Sequence, residues 1–250
     1  MSTGDDFLLV GAGLLAGVVG TAGGITSLVS YPALLAVGIS PLLASMTNIV
    51  ALVACLPGSA LSSRTELRGR AQWLRKWCIV SVAGGAAGAA LLLSTPAGIF
   101  ARVVPFLLVL AALSLLAQPR LSAWQAGRLA RPERVVLPVG VFATSLYSGY
   151  FGAGSGVMTL ALVLLAVDQH VARANALKNM LIGVATVVSA AAFVLFGRVV
   201  WPAAAALALG AFAGSTIGPV VARSVPGTVL RVLVALTGIS LAVRLWVAPS

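Results

Sequence analysis

A chain of 250 residues with 60% hydrophobic and only 8% charged residues falls far below the about 25% charge of a typical soluble domain. So few charges cannot cover a water-facing surface, so hydrocarbon must solvate much of the molecule and several membrane spans follow. The net charge of +11 does not point to nucleic acid, because the arginines gather in short loops between apolar runs, as in cytoplasmic loops.

Ten apolar segments follow one another: 7–22, 25–37, 41–62, 77–94, 97–117, 135–151, 153–167, 172–196, 199–222 and 226–247. Met1–Asp6 holds two acids, Asp5 and Asp6, and no basic residue. No cleaved signal peptide is expected, and the first segment stays in the mature chain. A helix needs about 20 residues to cross a bilayer. The first, second, sixth and seventh segments fall short of that, and both short pairs are interrupted by glycine. The interruptions read Gly20-Thr21-Ala22-Gly23-Gly24 and Gly152-Ala153-Gly154-Ser155-Gly156. A shift of 132 positions superposes Gly17, Gly20 and Gly24 on Gly149, Gly152 and Gly156, and a shift of 131 places Asn48 on Asn179. The chain is therefore read as a duplication, and paired broken segments are a pointer to a transporter binding site.

The loop after the third segment holds Arg64, Arg68, Arg70, Arg75 and Lys76, and the central linker holds Arg120, Arg128, Arg131 and Arg134. Both are expected in the cytoplasm. The second half's counterpart of the first loop, Gly197–Val200, has only Arg198, which fits the outside. Arg223 and Arg231 flank an inside loop, and both termini are predicted outside. The halves are thus inverted relative to each other. Six, eight or ten complete spans satisfy this equally. The expected organisation is a first membrane repeat over 1–117, a basic cytoplasmic linker over 118–134 and a second repeat over 135–250. The fold class is all-α: a polytopic membrane helix bundle of two inverted-topology repeats, with glycine-broken short or re-entrant helices opening each.

A helix that starts inside a membrane presents unpaired N–H groups and the positive end of its dipole, and glycine lets an anion approach that backbone. Gly20, Gly23, Gly24, Gly152, Gly154, Ser155 and Gly156 are candidate binding positions on this ground. The plainer reading of glycine is close helix packing, which suits Gly13/Gly17, Gly84/Gly88 and Gly210/Gly214/Gly218. Thr47 and Asn48 in the third segment, with Asn175, Lys178 and Asn179 at equivalent positions of the eighth, add hydroxyl, amide and ammonium donors. Lysine inside a membrane segment is costly and faces a cavity or a partner. Its alternatives are snorkelling to headgroups or pairing with Asp168. Asp168 and His170 are proton-coupling candidates, or simply a polar helix boundary. Arg102 suits snorkelling near the outer end of the fifth segment. Trp73, Trp77, Trp124, Trp201 and Trp246 mostly fall near segment ends, as an interfacial belt does.

Cys55 and Cys78 lack metal or redox spacing and read as small apolar residues. The chain has one histidine, and no HExxH, GxSxG or GxxxxGK[ST]. No enzyme activity, metal or cofactor is expected.

Gly13–Gly24, Pro32-Ala33-Leu34-Leu35, Gly38-Ile39-Ser40 and Ala44-Ser45-Met46-Thr47-Asn48 resemble the first repeat of the sulfite exporter TauE/SafE family. Gly149–Gly156 and Lys178-Asn179 are similar to its second repeat, so the resemblance covers nearly the whole chain. It implies a multi-pass permease of a bacterial-type plasma (inner) membrane, moving sulfite, organosulfonates or related sulfur anions. This chain departs from repeat symmetry where Leu164 answers Pro32 and Lys178 answers Thr47. The expected partners are a small anion and the lipid bilayer, with no nucleic acid. The expected mechanism is alternating access, against a passive anion channel or a non-transporting membrane scaffold.

Overall fold

The structure is a computed structural model that describes residues 3–125 and 135–221. Every regular element among the described residues is a helix: α1 (Thr3–Gly23), α2 (Thr26–Ala36), α3 (Pro41–Leu52), α4 (Cys55–Ser62), α5 (Ala71–Ser94), α6 (Ala97–Gln125), α7 (Val136–Tyr150), α8 (Ser155–Ala166), α9 (Val171–Phe196) and α10 (Trp201–Val221). Most of the linker, the segment 226–247, Arg223 and Arg231 lie outside the described residues.

Four segments are long and apolar enough to cross a membrane: Pro41–Leu61, Ala71–Ser94, Ala97–Ala117 and Val171–Phe196. Their outward faces carry large apolar side chains such as Ile79, Leu91, Phe106, Leu113, Val187 and Leu195, which suits lipid rather than water. At about 1.5 Å per residue, the 11 residues of α2 and the 12 of α8 reach about half of a hydrocarbon core of about 30 Å.

Two boundaries differ from the sequence reading. Residues 41–62 form two helices, not one, and the break at Val53-Ala54 has a local cause. Pro57 has no N–H, and its ring opposes the carbonyl four residues back, that of Val53. α9 has Val188 at the equivalent place and runs unbroken. Helix α6 also continues to Gln125, into the stretch read as linker.

Short helices turn back at the glycine breaks. Ser155 Oγ donates to Ser148 Oγ at 3.3 Å, and Gly140 lies against Leu162, so α7 and α8 form an antiparallel hairpin. Three of the glycines in the breaks, Gly24, Gly152 and Gly154, have φ of +72°, +83° and +80°, a region closed to most side chains.

The halves exchange helices. α1 packs chiefly on α10, while α5 packs on α7 and α9. Backbones approach closely at the small residues: Gly13 and Gly17 of α1 lie on Leu207 and Ala211 of α10, and Gly84 and Gly88 of α5 lie on Phe142 and Leu146 of α7. Residue numbers rise together in both pairs, so each pair is parallel. The repeat-equivalent helices run the other way. Met46 Sδ meets Gly197 while Leu56 meets Gly183, so α3–α4 and α9 are antiparallel, as inverted repeats require. Nine of the ten described helices sort into two packed bodies, one of α1, α2, α3, α4 and α10, the other of α5, α7, α8 and α9, while α6 packs on both, against α8 of one and α2 and α3 of the other. The two bodies meet along α3–α4 and α9 and at the glycine breaks.

Candidate functional site

The two breaks converge. A Cβ on Gly156 would lie 2.6 Å from Gly24 Cα, so only glycine at both positions lets α2 and α8 start side by side. Beside this contact is a cavity of about 90 Å³. Its polar lining comes from the starts of the short helices (Gly24, Thr26, Ser27, Ser155, Gly156), from Gly20, Ser148 and Gly152 before the breaks, and from Lys178, Asn179 and Thr186 of α9. Ser59 adds another hydroxyl, and Cys55, Ile49, Leu52, Leu56, Ile182 and Gly183 complete the wall.

Lys178 is 2% exposed. It lines the cavity, and its Nζ has no hydrogen-bond partner among the described residues. An ammonium removed from both water and counter-ion is costly. The two alternatives named above fail on geometry. A side chain this buried does not snorkel, and Asp168 is engaged elsewhere. Arg70 Nη2 donates to Asp168 Oδ2 at 2.9 Å, Arg173 donates to both carboxylate oxygens at 2.7 and 3.1 Å, and the His170 N–H donates to Oδ1 at 3.0 Å.

The hydrogen bond from Arg173 is the main reason the Asp168 carboxyl sits below its ordinary range. A carboxylate so held gives up its charge reluctantly, which argues against Asp168 as a proton carrier near neutrality. His170 is exposed, with its Nδ1 2.7 Å from Arg173 Nη2. The cluster instead ties the loop before α5 to the turn before α9.

Of the candidate binding residues, Gly20, Gly24, Gly152, Ser155, Gly156, Lys178 and Asn179 line the cavity together. Thr47, Asn48, Gly154 and Asn175 stand outside its lining. Thr47 Oγ1 accepts the Val200 N–H at 3.1 Å, just before α10. Asn48 is fully buried; its Oδ1 accepts from Ser30 Oγ at 2.5 Å, and its Nδ2 has no partner among the described residues. Gly154 abuts Ala111 of α6, so its glycine serves packing. Asn175 lies one turn before Lys178 on α9. Gly23 closes α1, and its surroundings lie outside the described residues.

Thr26, Ser27, Ser59, Ser148 and Thr186 were missed in the sequence. Ser148, Thr26 and Ser27 sit within one turn of a glycine break, and that proximity was the available signal; Ser59 and Thr186 carried none.

Part of the wall comes from repeat-related pairs. Gly20 and Gly152, Gly24 and Gly156, Leu52 and Gly183, and Cys55 and Thr186 all line it. Elsewhere the symmetry fails, and among the donors Lys178 and Asn179 face the cavity while their counterparts Thr47 and Asn48 do not. Three comparisons with known proteins bear on this arrangement. A family model described as Sulfite exporter TauE/SafE matches residues 8–245. A Haemophilus influenzae protein named "Probable membrane transporter protein" is 30% identical, over 94% of this chain and 92% of its own length. A Sinorhizobium protein, "Probable membrane transporter protein ORF9", is 26% identical over 98% and 93%, and the Escherichia coli "Probable membrane transporter protein YfcA" is 29% identical over 82% and 76%. No solved structure matches the chain.

Proposed function

The chain belongs to the sulfite exporter TauE/SafE family and is a membrane transporter, and we propose that it carries a small anion, sulfite, an organosulfonate or a related sulfur oxyanion, by alternating access. The observation that carries this reading is Lys178: a buried ammonium without a protein partner, in a cavity between two converging helix starts. The positive ends of α2 and α8, the serine and threonine hydroxyls and Asn179 supply donors for anion oxygens, and Lys178 offsets the charge.

The two packed bodies offer a physical route for alternating access. Each contains a helix from the other repeat, and between them run the α3–α4 and α9 contact and the glycine contact. Rocking one body on the other moves the cavity's two flanks without unpacking either body. For orientation, we place the basic loop 63–70 and the turn 167–170, which Arg70 and Asp168 join, on the cytoplasmic side of a plasma (inner) membrane. The parallel pairs α1 with α10 and α5 with α7 agree with the relative directions that charge placement gives these helices, and the loop charge alone sets which side is cytoplasmic. Both termini then lie outside, and the duplication divides the chain into repeats 1–117 and 135–250.

Uptake into proteoliposomes tests the reading. Sulfite, sulfate, methanesulfonate and chloride are compared in wild type and Lys178→Ala. Saturable uptake of a sulfur anion that the variant loses is expected. Wild-type protein that is folded and correctly inserted yet moves none of them would overturn it.

A further inference from the structure

The charge inventory of the cavity carries the proposed reading one step further, to what the anion must lack. Among the described residues that line the cavity, Lys178 is the only charged one and none is an aspartate or glutamate. Asp168 is bound by Arg70 and Arg173. The remaining polar lining is hydroxyl, amide and glycine backbone, concentrated at the two helix starts. Both starts add positive potential to that of the ammonium. Four apolar side chains, Ile49, Leu52, Leu56 and Ile182, share the wall, and none of the described lining residues offers an aromatic face to hold a cation by its ring.

We infer that the site selects small anions that carry no cationic amine: inorganic sulfur oxyanions and short sulfonates with a neutral tail, with zwitterionic aminosulfonates excluded. This rests on the anion-carrier reading above and sharpens it to a substrate class. The anionic head meets the ammonium, the hydroxyls and the helix starts, whereas a neutral tail of one or two carbons lies against the leucines and isoleucines at little cost. A tail ending in an ammonium gains nothing from that wall. It leaves water without an acceptor of opposite charge, and it lies within a few ångströms of a like charge in a region of low dielectric. A two-carbon tail is too short to carry its ammonium far from the sulfonate and hence from Lys178, and the cavity of about 90 Å³ is small beside drug-sized pockets of about 300–1,000 Å³.

Isethionate and taurine make the test, because they are nearly the same size and differ in a terminal hydroxyl against a terminal ammonium. Binding of radiolabelled sulfite to the purified full chain is measured in detergent at neutral pH, with each compound as competitor. Isethionate is expected to displace sulfite, and taurine to do so on the order of 50-fold more weakly, from the repulsion of two unit charges about 7 Å apart at an effective dielectric near 20. Taurine that competes as well as isethionate overturns the inference and leaves the anion-carrier reading standing. Sulfite bound but displaced by neither compound also overturns it, because the wall then admits no tail. Folded protein that binds no sulfite overturns the carrier reading for sulfite, and the inference with it.

Discussion

Gly24 and Gly156 occupy the same place in the two repeats, and they touch each other. A Cβ on Gly24 would stand 2.9 Å from Gly156 Cα, and one on Gly156 would stand 2.6 Å from both Cα and the carbonyl oxygen of Gly24. A residue in contact with its own repeat-equivalent lies at the axis relating the halves. The cavity beside that contact is therefore central to the duplication, and its wall is drawn from both copies.

This contact sets the first prediction. Backbone opposes any side chain at either position, and backbone does not move aside cheaply, so Gly156→Ala is expected to destabilise by about 1–3 kcal/mol. Gly24→Ala adds the strain of φ +72° to the same overlap and is expected to cost more. Two controls separate the causes. Gly38 has φ +83° with nothing within 4 Å, so its alanine variant reports strain alone. Gly11 lies mid-helix with open space around it, so Gly11→Ala is expected to be neutral or slightly stabilising. Thermal unfolding in detergent ranks the four, and Gly156→Ala melting with wild type would show that the breaks do not touch.

Lys178 gives the second. Its ammonium is unpartnered and buried, so Lys178→Met removes a cost rather than a bond, and stability is expected to hold or rise. Transport is expected to fall at least about tenfold, because the one charge offsetting the anion is gone. Lys178→Arg keeps the charge and is expected to retain more activity than Lys178→Met. Uptake rates and melting temperatures on the same preparations decide the matter. Loss of folding in Lys178→Met would mean that the lysine is structural.

Much of the bundle was legible because its signals are local. Apolar run length, loop charge and the 132-residue offset of the glycines located nearly every described helix and the inverted relation of the halves. The helix break at Val53-Ala54 was visible in principle through Pro57, but the run around it is uniformly apolar, and hydropathy alone passes over it. The exchange of α5 and α10 between the halves left no trace in the order of the chain. Its sequence signals were the small-residue stripes Gly13/Gly17, Gly84/Gly88 and Gly210/Gly214, which say that a helix is approached and not by which one. The candidate site divided in the same way. Five positions tied to the breaks, Gly20, Gly24, Gly152, Ser155 and Gly156, meet Lys178 and Asn179 at the cavity, while Gly154 packs on Ala111 instead. Thr47 and Asn48 differ because repeat equivalence in sequence does not make the two sides of one cavity chemically equal.

Asp168 supports a prediction about pH. Its carboxyl is held below the ordinary range, chiefly by the hydrogen bond from Arg173. What it adds to stability is fully present above the unfolded carboxylate value, about 3.9, and is lost only as pH falls through the lower folded value. Between about pH 5 and 8 it therefore stays ionised and contributes a constant amount. Asp168→Asn is expected to lower the melting temperature at neutral pH, since Arg70 and Arg173 lose their shared partner. The pH profile of transport over that range is expected to keep its shape. A profile that flattens in Asp168→Asn would restore Asp168 as a proton carrier.

Thr47 tests the limits of the site. Its hydroxyl is buried, accepts the Val200 N–H at 3.1 Å and does not line the cavity. Thr47→Val keeps the shape and removes the acceptor, and with it a hydrogen bond worth about 0.5–1.5 kcal/mol. The melting temperature is expected to drop accordingly, with sulfite affinity almost unchanged. Asn179 lines the cavity, so Asn179→Leu is expected to show the opposite pattern: affinity weakened about tenfold by loss of a donor to a charged ligand, with a smaller change in stability. Equilibrium binding and thermal unfolding on both variants distinguish these outcomes. If Thr47→Val abolished sulfite binding in protein as stable as wild type, the site would extend along α3, and the asymmetry that singles out Lys178 and Asn179 would be lost.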